Sequence, residues 1–156
     1  MIKTVVMTIL AAGLLMAGSI KVNRNDTCAV RQFKVYKYPS WIAKAETAKG
    51  ETAYFSSPKS MFEFYFQPDR WMEFGAATPD DITSLTVTDF NTLNAINARS
   101  SYYVYGSTQT SPAGDDLVPF AKLEDAEKFA KKYKGKRILR FSEIKNSLIR
   151  LLNGRI

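Results

Sequence analysis

Tyr103-Val104-Tyr105-Gly106-Ser107, followed by Ser111-Pro112-Ala113-Gly114-Asp115-Asp116-Leu117-Val118-Pro119-Phe120, is the stretch that decides the fold. A β-prone aromatic run meets a glycine, a long irregular loop over 107–116 closes on Pro-Ala-Gly, and a short apolar strand leads into a helical segment at 123–133. In that segment Leu123, Ala126, Phe129, Ala130 and Tyr133 recur at helical spacing and form one apolar stripe. Glu124, Asp125 and Glu127 stand early and Lys131, Lys132 and Lys134 late, each matching the helix dipole, with Gly135 placed to end the helix. A short strand is expected over 137–141. Ser142 then reads as the cap of a last amphipathic helix with Ile144, Leu148, Leu151 and Leu152 on one side.

The same order occurs upstream. Residues 41–48 and 51–55 read as a β-hairpin turning at Gly50, and Ser57-Pro58 opens a helix that runs to about Phe66 before Pro68 stops it. Met61 lies one turn before Tyr65 on that helix, beside Phe62, Phe64 and Phe66. It reads first as aromatic core filling, and as a candidate soft metal ligand second. Pro68, Gly75 and Pro79 mark 68–81 as a connection in which Trp71-Met72 folds back onto the core. Alternation over Ile82 to Thr88 gives a strand, and Ile96 and residues 102–105 are expected to continue the second sheet portion. The expectation is an α+β fold of two ββα-type units with antiparallel strands and a C-terminal amphipathic helix. Its parts are a leader or anchor at 1–20, a polar spacer at 21–35, units at 36–67 and 82–156, and the connection between them.

Composition narrows the chemistry. The 156 residues contain no His, which removes the usual general base and every Ser-His or Cys-His nucleophile pair. A single Cys forms no intramolecular disulfide, no Cys-pair zinc site and no redox CxxC. No nucleophile, base and orienting group stand at a meaningful spacing, so catalysis is not expected. Residues 1–121 balance 11 Lys and Arg against 11 Asp and Glu, whereas residues 122–156 hold 11 against 4, so the whole net charge of +7 lies in the last 35 residues. Such a tail fits solvated helix faces, or a docking surface built on Lys131, Lys132, Lys134, Lys136 and Arg137 for an acidic protein or an anionic membrane surface. Thr4 to Ile20 is uncharged, follows one basic residue and ends in Ala17-Gly18-Ser19, which reads as a secretory leader, with an uncleaved anchor as second choice. Export takes the chain away from nucleic acid.

Val87-Thr88-Asp89, Asn97-Ala98-Arg99, Tyr103 to Ser107, Leu117-Val118-Pro119-Phe120, Asp125-Ala126 with Phe129-Ala130, and Leu139 with Glu143-Ile144 resemble, in order and spacing, the NosL family of nitrous oxide reductase accessory proteins. Cys28, Pro39, Ala43, Tyr54-Phe55, Ser57-Pro58 and Met61-Phe62 extend the likeness upstream. The resemblance implies an exported, often lipid-anchored copper-binding protein with a two-part ββα-type fold similar to organomercurial lyase. It also implies soft donors that this chain replaces. Where the family has two cysteines two residues apart followed by Gly-Met, Cys28 matches the first, Arg31 stands at the second and Phe33 at the methionine. Pro112-Ala113-Gly114 stands where the family has Pro-Met-Gly, and Met16-Ala17-Gly18-Ser19 looks like a lipobox without its cysteine.

The leading expectation is a NosL-like accessory protein, on the outer face of the inner membrane or in the periplasm, serving copper delivery or assembly of an enzyme such as nitrous oxide reductase. Cys28 and Met61 are the candidate metal residues, and Cu(I) is expected to be held weakly or not at all. The alternative keeps the same scaffold as a metal-free interaction module docking to a membrane or to an acidic periplasmic or membrane protein.

Overall fold

The computed structural model describes residues 18–155. The leader assigned to the first residues therefore lies largely outside the described region. Strands β1 (Ala43–Thr47) and β2 (Thr52–Phe55) form the expected hairpin, and Gly50 takes a left-handed φ of 82° in its turn. Alternation places Ala43 and Ala45 in the core and Lys44 and Glu46 outward, paired at 3.0 Å. Helix α1 (Pro58–Phe66) begins where Ser57 accepts the Ser60 amide, with Pro58 in the first turn, where its missing N–H is harmless.

The sheets cut across the sequence partition at residue 82. Strand β3 (Ile82–Thr88) pairs with β1, and β4 (Ala95–Asn97) pairs with β3, giving an antiparallel sheet of order β2-β1-β3-β4. Ile96 thus belongs to the first sheet, not the second. The second sheet consists of β5 (Tyr102–Ser111), β6 (Gly114–Phe120) and β7 (Arg137–Arg140), in the order β6-β5-β7. The stretch read as a long irregular loop is mostly strand. Ser111 pairs with Gly114 to close a tight hairpin over Pro112-Ala113, and irregularity is confined to a register break between Tyr105 and Thr110. Pro119 is tolerated because β6 is an edge strand with no further neighbour to serve.

Helix α2 (Leu123–Lys132) lies where its periodicity puts it, but its end is built differently. Lys134 adopts the left-handed conformation with φ 58°, while a Cβ on Gly135 would come within 2.5 Å of Val104 Cγ1. Gly135 is thus required by close approach to β5. The last helix, α3 (Asn146–Leu152), starts later than expected, because residues 141–143 form a 3-10 turn in which the Glu143 carboxylate accepts the Arg140 amide. Ser142 does not cap it. Its buried residue is Ile149 at 1% exposure, whereas Leu151 is exposed.

One core is shared by both sheets. Fully buried Phe55, Met61, Phe62 and Phe64 meet Tyr103, Leu117, Leu139, Ile144 and Ile149 around α1. Phe62 lies 5.4 Å from Tyr103 and 5.2 Å from Phe141, ring centre to centre, so α1 is a wall common to the two halves. Trp71 packs on Phe64 at 5.8 Å, as its place in the connection required, but Met72 is exposed. The spacer is also structured, with Cys28, Ala29 and Val35 buried, and just before it Ile20 is buried and the Gly18 carbonyl accepts the Ala95 amide at 2.7 Å. A second cluster beneath α2 gathers Trp41, Val104, Val118, Phe120, Ala126 and Phe129.

The buried Tyr103 hydroxyl donates to the Ala98 carbonyl at 2.6 Å, and burial pushes its phenol far above the ordinary value. Tyr103→Phe should lower stability by about 1 kcal/mol, since Ala98 then keeps only the 3.4 Å bond from the Ser101 amide. Urea denaturation checks this, and an unchanged midpoint would mean that the hydroxyl contributes nothing net.

Candidate functional site

Cys28 opens a tight turn. Its amide donates to the Phe33 carbonyl and its carbonyl accepts from the Gln32 amide, both at 2.8 Å, with Gln32 left-handed at φ 62°. The Arg31 amide donates to the Cys28 Sγ at 3.4 Å, and Ala29 docks its amide on the Tyr54 carbonyl beside β2. The thiol is completely buried. Met61, on the inner face of α1, is buried just as fully, and both belong to the shared core. The two metal candidates are thus core residues as the chain is folded. Among the described residues, no group of three or more His, Cys, Asp or Glu side chains is placed to hold a metal ion.

Beside them on α1 runs a polar stripe of which the sequence showed only Arg31. Arg31 Nε donates to Ser60 Oγ at 3.2 Å, and its terminal nitrogen donates to Glu63 at 3.3 Å and to Asn153 Oδ1 at 2.6 Å. Glu63 is buried on α1 and also accepts from Asn153 Nδ2 and Arg155, each at 3.0 Å, with Arg70 at 3.6 Å. One helical turn earlier, Lys59 is buried at 1% exposure. Its ammonium donates to the Ala113 carbonyl at 2.6 Å and the Leu152 carbonyl at 3.1 Å. Asp116, whose charge favours the Lys59 ammonium, accepts the Lys59 amide at 2.7 Å, the Ser111 hydroxyl at 2.7 Å and the Leu117 amide at 2.9 Å.

Burial lowers the Lys59 ammonium pKa, with Asp116 pulling it back, and burial raises the Asp116 carboxyl while its hydrogen bonds oppose the rise. Lys59 and Glu63, four apart in an otherwise apolar helix, were the one signal available for this polar stripe. The Pro-Ala-Gly hairpin and the Cys28 turn thus meet the same helix. The hairpin is held by an ammonium and the turn by a guanidinium.

The five residues proposed for partner binding are placed otherwise. Lys131, Lys132, Lys134, Lys136 and Arg137 are all exposed, at the end of α2 and the start of β7. Among the described residues none of them forms an ion pair with a carboxylate. They do not adjoin Cys28 in any described contact, so the sequence had named two separate places.

A family model for NosL matches residues 19–149. The chain belongs to the NosL family. It is 27% identical over 125 residues to the copper-binding lipoprotein NosL of Stutzerimonas stutzeri, a match covering 80% of this chain and 65% of that protein. The crystal structure of the copper chaperone NosL from Shewanella denitrificans superposes with a TM-score of 0.71 at 23% identity, covering 83% of this chain and 97% of that one. That likeness establishes that the two-sheet α+β architecture is the NosL fold.

Proposed function

We propose that this chain is an exported NosL-type accessory protein that serves copper delivery to, or assembly of, a periplasmic enzyme such as nitrous oxide reductase. The family match across residues 19–149 carries the reading. Copper is its cargo, and Cys28, the one thiol in the chain, is the residue assigned to meet it. As folded, the turn offers Cu(I) little: the thiol is buried, and Arg31 and Phe33 bring no second sulfur. Tight Cu(I) binding favours several converging thiolates and thioethers. The isolated chain therefore holds Cu(I) weakly, and a partner supplies the further donors after the turn opens.

Two measurements test this. Against a Cu(I) chelator, the isolated chain should compete weakly, and Cys28→Ser should abolish what binding there is. Thiol labelling of native Cys28 should be slower than in denaturant by at least about 100-fold, because reaction requires local opening worth a few kcal/mol. Tight one-to-one binding that survives Cys28→Ser would displace the site to Met61 and Met72. A second reading, a metal-free interaction module, is favoured by the polar stripe, where Arg31 and Lys59 are already satisfied by Glu63 and backbone carbonyls. The Cu(I) competition decides between them, with weak Cys28-dependent binding supporting the carrier and no binding at all supporting the module.

A further inference from the structure

We propose that the cleft between α2 and the turn at 89–92 is a docking site for an acidic segment of a partner protein that inserts one bulky apolar side chain. The inference deepens the partner half of the proposed function and is independent of its copper half. The cleft encloses about 440 Å³, within the range of ligand-sized pockets. Its floor is Phe120 and Phe129, 5.1 Å apart between ring centres, and its walls are Phe90 and Tyr133, at 5.4 Å and 4.7 Å from Phe129. Rings fixed edge to face and face to tilted face make a surface that need not reorganise to receive an aliphatic or aromatic group.

The wall is held in place by a buried carboxylate. Asp89 accepts the Asn91 and Thr92 amides at 2.8 and 3.1 Å and the Ala121 amide at 2.9 Å, while the Phe90 amide donates to the Pro119 carbonyl. The turn is thereby fastened to the end of β6, which feeds α2. These bonds fix the backbone that carries Phe90.

Charge names the occupant. Lys128 and Lys132 stand on the rim, and exposed Lys131 lies on the same helix between them in sequence. Lys128 is paired to Glu124 at 2.7 Å and Lys132 lies over the Tyr133 ring, so each is held near the opening. Asp125 is the one acid on the lining and marks the side from which a carboxylate is repelled. A bulky apolar anchor against an aromatic wall, with cations at the opening, is the arrangement of an interface hot spot once a partner covers the cleft. A flat anionic bilayer would use the lysines but has no use for the concavity.

The probe is a blocked heptapeptide with a central Trp flanked on each side by three acidic residues, titrated into the detergent-solubilised, ¹⁵N-labelled full chain. Amide shifts should cluster at the cleft lining, and affinity should fall about tenfold or more in Asn91→Trp, which fills the mouth from an exposed position, and in Lys132→Glu. Replacing the central Trp by Ala, or the acids by Lys, should weaken binding as much. Equal binding of the Ala or Lys peptides, or shifts elsewhere, would overturn the proposal. So would phosphatidylglycerol vesicles that bind the chain in a Lys132-dependent, Asn91→Trp-insensitive way while the peptide gives no shifts, which would assign the surface to lipid. Neither variant touches Cys28, so Cu(I) competition should be unchanged in both, and failure here leaves the copper reading standing.

Discussion

Asp116→Ala should lower the stability of the folded chain by about 3 kcal/mol or more, because it removes the acceptor from several buried donors, each costing about 1–3 kcal/mol when left unpaired. The carboxylate holds the Lys59 amide in the first turn of α1, the Ser111 hydroxyl at the hairpin and the Leu117 amide of β6, and its loss strands all three donors. It also removes the carboxylate charge that most favours the buried Lys59 ammonium, which itself donates to the Ala113 and Leu152 carbonyls. Two controls identify the cause. Adding Lys59→Met should recover part of the loss, because the unpaired charge is then gone. The deficit should also narrow as pH rises toward 10.5. Lys59 already loses its proton below its unfolded value in the wild type, and without Asp116, whose charge raises that pKa, it does so lower still, so the variant gains more stability than the wild type as the ammonium neutralises. The wild type meanwhile gains nothing from a carboxyl whose raised pKa favours the folded state only at lower pH. Urea denaturation at neutral and alkaline pH reads both, and a loss below about 1 kcal/mol with no pH dependence would show that the Asp116 site is solvated.

Phe62→Ala should lower stability by about 3–5 kcal/mol, as expected for an aromatic removed from a closed core. The residue is fully buried and touches Tyr103 of the second sheet, Phe66 of its own helix and Phe141 beyond β7. The loss should therefore appear as one cooperative transition, followed alike by near-UV and far-UV signals. Two separated transitions would mean that the sheets are independent units and that α1 does not join them.

Local chemistry made some of this fold legible. The hairpin around Gly50, the Ser57-Pro58 helix start and the stripe of α2 are written in neighbouring residues, and each element forms where its pattern lies. Sheet membership is not local. That β3 pairs with β1 across the whole of α1 and the connection depends on which edge is free and which faces are apolar, so Ile96 was assigned to the wrong sheet. Ile149 was missed because the last helix starts at Asn146 and its buried face is set by the shared core rather than by its own sequence. For the site, residue type gave Cys28 and Met61, but burial comes from packing. Arg31 and Asn153 are 122 residues apart and meet only in the folded chain. The aromatic cleft was hidden similarly: Phe129 and Tyr133 read as core stripe, and nothing local places Phe90 beside them.

Arg31 has one further consequence through its two attachments. Its backbone amide holds the Cys28 sulfur while its guanidinium holds Asn153 just after α3, so segments near the two ends of the described chain are fastened by one residue. Opening the thiol turn thus draws on the fraying of the last helix. A reagent or donor protein arriving in excess would then find a ceiling on its rate that its own concentration does not raise, set by how often the final helix lets go. Residues near 28 and near 150 should in that case exchange their amide hydrogens on a common clock, although they lie at opposite ends of the sequence.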